Sequence, residues 1–276
     1  MTTRREIITK CGAGLASILA ARRAPAALVR SMLAARNGIA VSGGGGGGGW
    51  TNPYITSGLI AMWDGEWNAG GGVHDADAMT WKDLVGSNDL TIGQSYESRR
   101  EWVDGALGFN LLSNSKTVVG RKIQGMKFLE IVLMLTEVSK GGMALLINGY
   151  VRGVSTLLFC TNTGIVQTYN YNVKQGYAAG TLTNNVRVSL SFNTETPTDL
   201  RTFKNGSPTS VYQSADGWAN GLSDSELLLF THPAYNFNGG RWEYFFCIRA
   251  YSRALTDAEV AANYAVDAAR FNHPTT

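Results

Sequence analysis

Ile248-Arg249-Ala250-Tyr251-Ser252-Arg253-Ala254-Leu255-Thr256-Asp257-Ala258-Glu259-Val260 changes its pattern partway along. The run from Arg241 to Tyr251 is aromatic and apolar and reads as a strand. Thr256-Asp257-Ala258-Glu259 is a capping box, in which the Thr256 hydroxyl accepts from free backbone amides while the Glu259 carboxylate reaches back. Val260, Tyr264 and Ala265 follow at helical intervals, so a short helix is expected to start near Thr256.

Upstream, short β-prone runs recur between turn signals. Expected strands are 59–63, 107–112, 127–135, 143–150, 155–160, 166–171, 186–192, 201–204 and 227–230, besides 241–251. Asn-Gly, Asp-Gly and Gly-Gly pairs between them are the chemistry of tight antiparallel turns. The run Ile131-Val132-Leu133-Met134-Leu135 is continuously apolar, as for a strand covered on both faces. The 33 glycines agree with a turn-rich all-β chain. At 276 residues, 44% hydrophobic and only 16% charged, one large β-sandwich accounts for the length.

The N-terminal part differs. Residues 1–42 are rich in Ala, Leu and Arg, with Ile7, Ile8, Leu15, Ile18 and Leu19 at roughly helical spacing. They hold seven basic residues against one acid, a balance of +6, which leaves 17 basic against 20 acidic residues, −3, for the rest. Two readings stand. Thr3-Arg4-Arg5-Glu6-Ile7-Ile8-Thr9-Lys10 resembles a twin-arginine export signal, while Arg22 and Arg23 directly after the apolar stretch favour a basic amphipathic helix binding an assembly partner or an anionic surface. No stretch reaches the roughly 18 apolar residues of a membrane-spanning helix. Gly43 to Gly49 is a polyglycine linker, because glycine loses the most backbone entropy on ordering. The expected organisation is arm 1–42, linker 43–49, sandwich 50–276. A slightly acidic domain lacks the basic footprint of a nucleic-acid binder, so no nucleic-acid partner is expected.

Several segments meet in one family. Gly58-Leu59-Ile60-Ala61-Met62-Trp63 resembles the opening strand of laminin-G-like domains of the concanavalin A-like lectin/glucanase superfamily. Trp81-Lys82-Asp83-Leu84-Val85-Gly86-Ser87-Asn88-Asp89-Leu90-Thr91 is similar to their D-x-S-G-N-x-N-D-x-T turn, Trp102-Val103-Asp104-Gly105-Ala106-Leu107 to the strand that follows it, and Phe203-Lys204-Asn205-Gly206 to their Y-V-D-G hairpin. Phe237 to Arg241 and then Ile248 to Val260 resemble the closing F-x-G-x-I-D-E-V-R-I-Y-x-R-A-L-S-D-A-E-I. The resemblance runs from residue 58 to about 265 and implies an all-β fold, an antiparallel two-sheet jelly-roll sandwich, to which the reading of the residues adds a helical N-terminal arm and a short C-terminal helix. Two departures stand out: Asn184 to Leu190 lacks the family's central Trp and His, and Trp242-Glu243-Tyr244-Phe245 replaces its acid pair.

The resemblance implies a carbohydrate- or glycoprotein-binding module at the cell surface or outside the cell. The alternative is an attachment protein of a cell-surface or virus-particle assembly. A glycoside hydrolase with an unconventional site ranks third. Retaining β-glucanases of the superfamily need carboxylates at alternate positions about 5 Å apart, and no E-x-D-x-x-E triplet occurs here. The nearest acid pairs, Asp64 with Glu66 and Asp224 with Glu226, fall in expected turns. His74, His232 and His273 are not spaced as H-E-x-x-H, and no G-x-S-x-G elbow is present.

A candidate ligand surface is the polar stretch carrying Asp64, Glu66, Trp67, His74, Asp75 and Asp77. Aromatic faces stack on sugar rings, and carboxylates accept sugar hydroxyls or hold Ca2+, the one cofactor this set admits. The plainer reading packs Trp67 and Trp81 under the loop and leaves the acids solvated. A second candidate is Asp216-Gly217-Trp218-Ala219-Asn220, with 232–238 nearby, while Trp102 and Trp242 fall in strands and are expected in the core. Cys11, Cys160 and Cys247 are too few for a disulfide framework, so either Cys160 pairs with Cys247 or Cys247 is a small buried hydrophobe.

Overall fold

A computed structural model of the chain describes residues 51–92, 98–111, 119–138, 145–151, 154–160, 166–170, 173–176, 182–193, 201–209, 226–229 and 241–271. The arm, the polyglycine linker, the Asp216–Asn220 segment with Trp218, Asp224, His232 and His273 lie outside them. In chain order the described residues form β1 (Leu59–Asp64), β2 (Thr80–Trp81), β3 (Leu90–Thr91), β4 (Ser98–Val103), β5 (Ala106–Leu111), β6 (Val119–Lys122), β7 (Phe128–Leu135) and β8 (Leu145–Val151). They continue with β9 (Val154–Cys160), β10 (Val166–Asn170), β11 (Val173–Gly176), β12 (Arg187–Asn193), β13 (Thr202–Lys204), β14 (Ser207–Thr209), β15 (Glu226–Leu229) and β16 (Arg241–Tyr251), and end on helix α1 (Asp257–Phe271).

The fold is an antiparallel β-sandwich. One sheet has the order β14-β13-β12-β7-β16-β5-β4 with β1 also paired to β16, and the other has β11-β10-β9-β8-β15-β6. Ten expected strands are present within about two residues of their expected ends. Glu226 opens β15 instead of lying in a turn, and Asp64 closes β1. Trp102 falls in a strand as expected, β4, although Arg99, Arg100 and Glu101 hide the pattern of its first part; β14 is not among the expected strands, and its Pro208 is tolerated because the strand is an edge.

β7 is buried on both faces, as its composition requires. Leu129, Ile131, Leu133 and Leu135 join the core between the sheets, with Trp63, Trp102, Phe109, Leu190 and Ile248. Phe128 and Val132 on the opposite face pack with Phe203, Tyr251, Val260 and Phe271 beneath α1. Cys247 is a free, buried thiol on this helix-covered face, so the bridge to Cys160 is not formed. Burial raises its pKa far out of the reactive range.

A bulge orients this second face. In β16, Phe245 pairs with Leu133 and Cys247 with Val132, which leaves Phe246 as the extra residue. Phe246 and Cys247 therefore both face the helix, and every later residue of β16 changes side. Arg249 is thereby turned toward α1 instead of the inter-sheet core.

Under the helix, Arg249 is 1% exposed. Its Nη1 and Nη2 donate to the two oxygens of Asp267 at 2.7 Å each, and its Nε donates to Glu130 Oε2 at 2.8 Å. Asn263 Nδ2 donates to Glu130 at 2.7 Å and to Tyr251 OH at 2.9 Å, while its oxygen accepts from the Ile55 amide at 2.9 Å. The expected cap is present: Thr256 N donates to Glu259 Oε2 at 2.9 Å and Glu259 N to Thr256 Oγ1 at 3.3 Å. Arg187 donates to the carbonyl of Phe271 at the other end of α1.

Removing Arg249 leaves two buried carboxylates unpaired, so Arg249→Met is expected to cost about 3–5 kcal/mol in urea unfolding. Burial pushes the Glu130 carboxyl above its ordinary range, against the pull of Arg249. A raised carboxyl contributes stability that is full below the unfolded value of about 4.3 and is lost as pH rises through the folded one. As pH rises from about 4, Glu130→Gln is therefore expected to lose less stability than the wild type. Parallel stability–pH curves for the two proteins would refute this account of Glu130.

Candidate functional site

The loop that leaves β1 is anchored from below. Asp64 was expected in an open turn, but its carboxylate is fully buried, because α1 brings a guanidinium to it. Arg270 Nη1 donates to Asp64 Oδ2 at 2.6 Å and to Tyr54 OH at 2.8 Å, and its Nη2 donates to Glu66 Oε2 at 3.2 Å. The same guanidinium lies 4.1 Å from the centre of the Trp67 ring. Burial works against the charge of Arg270, yet Asp64 and Tyr54 outweigh it and hold its pKa well above the ordinary arginine range.

Beyond Trp67 the loop is closed by an amide clasp. Buried Asn68 donates to the Asp75 carbonyl at 2.7 Å and accepts from the Asp75 amide at 2.8 Å. Asp75 Oδ1 accepts from the Asp77 amide at 2.9 Å. His74 Nδ1 sits 3.1 Å from the Gly65 carbonyl oxygen, and its ring meets Trp102 edge-on at 6.5 Å. Trp102 donates to the Ala78 carbonyl at 3.0 Å and packs edge-on against Trp81 at 5.5 Å, both indoles being buried.

The tip of the β4–β5 hairpin completes the surface. Asp104 and Gly105 take positive φ of 51° and 73°, the geometry of a two-residue hairpin turn. A Cβ on Gly105 would lie 3.6 Å from Glu66 Cβ, and one on Gly65 would lie 2.4 Å from the Gly105 carbonyl oxygen. Only glycine at 65 lets the loop and the hairpin approach this closely.

Of the residues expected from the sequence, Glu66, Trp67, His74, Asp75 and Asp77 lie along this one loop. Glu66 and Trp67 are partly buried and His74, Asp75 and Asp77 exposed, while Asp64 lies beneath as their anchor. Trp81 and Trp102 are core, and Trp218 lies outside the described residues. Asp64 and Glu66 converge on Arg270, whose guanidinium stands where a cation between them would have to sit. Both oxygens of Asp83 accept hydrogen bonds, from the Met62, Val85 and Asn88 amides and the Asn88 side chain. Among the described residues no three His, Cys, Asp or Glu side chains gather as a metal site.

Arg270 and Tyr54 were not anticipated. The signal lay in α1, where Asn263, Asp267 and Arg270 occupy helical positions that face the sheet. Polar residues on a helix's buried stripe call for buried partners.

No family model matches this chain, and no curated protein does. Among solved structures it is similar to Trypanosoma rangeli sialidase, with TM-score 0.53 and 17% identity over 78% of this chain and 34% of that one. It is also similar to that sialidase in complex with 2,3-difluorosialic acid as a covalent intermediate, with TM-score 0.56 and 15% identity over 78% and 34%. A third is the binding domain of botulinum neurotoxin DC in complex with SialylT, with TM-score 0.52 and 9% identity over 76% of this chain and 51% of that one. These likenesses establish the sandwich fold. The chain spans about a third of the sialidase and about half of the toxin domain.

Because Asp64 and Arg270 are both buried, Arg270→Gln is expected to destabilise the protein by about 3–5 kcal/mol in denaturant unfolding. Adding Asp64→Asn should recover much of that loss, since the uncompensated charge is then gone. A double variant no more stable than Arg270→Gln would show that the pair is not the anchor.

Proposed function

We propose that the sandwich is a laminin-G-type domain acting as a non-catalytic glycan- or glycoprotein-binding module, displayed outside the cell or on a particle surface. The observation that carries this reading is the anchored loop. The loop carries an indole, an imidazole and several carboxylates, and Arg270 and the Asn68 clasp hold it at both ends. A site fixed before the ligand arrives loses less entropy on binding. The complexes recorded for the sialidase and toxin neighbours, with a difluorosialic acid and with SialylT, support a sugar as ligand class.

The same geometry supports a binding role over catalysis. A retaining glycosidase needs two carboxyl groups facing each other across the scissile bond. Asp64 and Glu66 instead share one arginine, and Asp64 is shut off from solvent. A second reading, an attachment protein of a surface assembly or virus particle, is favoured by the +6 arm tethered through Gly43 to Gly49.

The test is a glycan array probed with the full chain, in calcium and again in chelator. Selective binding is expected, insensitive to chelator and lost in Trp67→Ala protein whose melting temperature shows it folded. Silence across the array from folded protein would leave the attachment reading.

A further inference from the structure

We infer that the sheet beyond the end of α1 is a second sugar-binding surface, which takes a carboxylate-bearing sugar on the ring of Tyr244 and the guanidinium of Arg187. The inference rests on the glycan-binding reading above and adds a site to it. Arg187, Met134, Tyr244, Gly108 and Glu101 form one row across β12, β7, β16, β5 and β4, each opposite the next in register. Farther along the same strands, Ser189, Val132, Cys247 and Ala106 are buried on the helix-covered face, whereas in the row Arg187, Met134, Tyr244 and Glu101 are only half-buried. The row thus lies where the cover of α1 ends, and Arg187 donates to the carbonyl of Phe271, the last residue of the helix.

Tyr244 reaches across β5, and its hydroxyl donates to Glu101 Oε1 at 2.9 Å. Strands lie about 5 Å apart, so a side chain that spans two of them lies down on the sheet. Gly108 is the residue beneath it: a Cβ there would stand 2.7 Å from Tyr244 Cε1 and 2.9 Å from its Cδ1. One face of the ring therefore rests on the glycine and the other is turned away from the sheet, the posture in which an aromatic side chain stacks on a sugar ring. The Arg187 guanidinium lies 4.5 Å from the centre of the Phe246 ring, which is buried. Arg201, Arg249, Arg253 and Arg270 are each paired with a carboxylate, but Arg187 has no such partner among the described residues. Asp104 acts on it only at a distance, and burial pushes its pKa below the ordinary arginine range. A partly desolvated cation without a paired carboxylate favours an incoming anion, and the donors that Phe271 leaves unused suit the two oxygens of a carboxylate. Asp104 stands in solvent, where its repulsion of that anion is screened.

The test is titration calorimetry with the full chain, using oligosaccharide pairs that differ only in a terminal acidic sugar, sialic acid in one series and glucuronic acid in the other. In at least one series the acidic member is expected to bind about tenfold more tightly, with the ratio falling as salt is added. Arg187→Gln, which keeps an N–H for the Phe271 carbonyl, should erase the ratio. Arg187→Lys, which keeps the charge and loses the planar fork, should reduce it. Tyr244→Leu should weaken both members of a pair, with melting temperatures showing each variant folded. Equal binding within every pair, or a ratio untouched by Arg187→Gln and Arg187→Lys, overturns the inference and leaves the glycan-binding reading standing. Folded protein that binds no member of either series overturns both.

Discussion

The guanidinium of Arg249, sealed between the carboxylates of Glu130 and Asp267, is the contact on which the arrangement of helix and sheet depends. It joins three elements that meet only in the folded chain: the centre of β7, the end of β16 and the last turns of α1. Charges taken out of water are tolerated only when fully paired, so the cluster permits few placements of the helix. Asn263, Ser189 and Ser191 occupy remaining hydrogen-bonding positions and tighten that choice. Once α1 is so fixed, Arg270 near its C-terminal end arrives beside Asp64 and secures the candidate loop.

The bulge at Phe246 is the backbone condition for this cluster. In an unbroken β16 the side of Phe245 would also be that of Arg249, and a cation would face the apolar layer between the sheets. One extra residue moves the arginine to the face where carboxylates wait. The Gly65 amide donates to the Phe246 carbonyl at 2.9 Å, so the same bulge also receives the end of β1.

Much of this was legible in the chain. The apolar run of β7, the aromatic run of β16 and the Thr256–Glu259 box are local patterns, and each formed the element its spacing specifies. β4 and β14 were harder, because edge strands carry charge and proline where central strands cannot. The loop's polar residues were visible as a group, but their roles were not. An aspartate followed by glycine reads as a turn acid, and what makes Asp64 a buried anchor is an arginine 206 positions away. Of the two readings left open for Cys247, the buried free thiol is the one found, and its sulfur accepts from Arg249 Nη1 at 3.6 Å, a contact that its apolar neighbours in sequence did not signal.

β16 has β7 along one side, while its other side is completed by two separate segments, β1 against its second half and β5 against its first. The sheet therefore has a seam within its width, and the loop from Asp64 to Thr80 issues from that seam and not from an outer rim. Neither register depends on how much chain lies between the two segments. Lengthening the loop adds closure entropy only as the logarithm of its length. The domain can thus gain or lose loop residues at the middle of a sheet while its scaffold stays unchanged, which makes the seam a natural place for related chains to diverge.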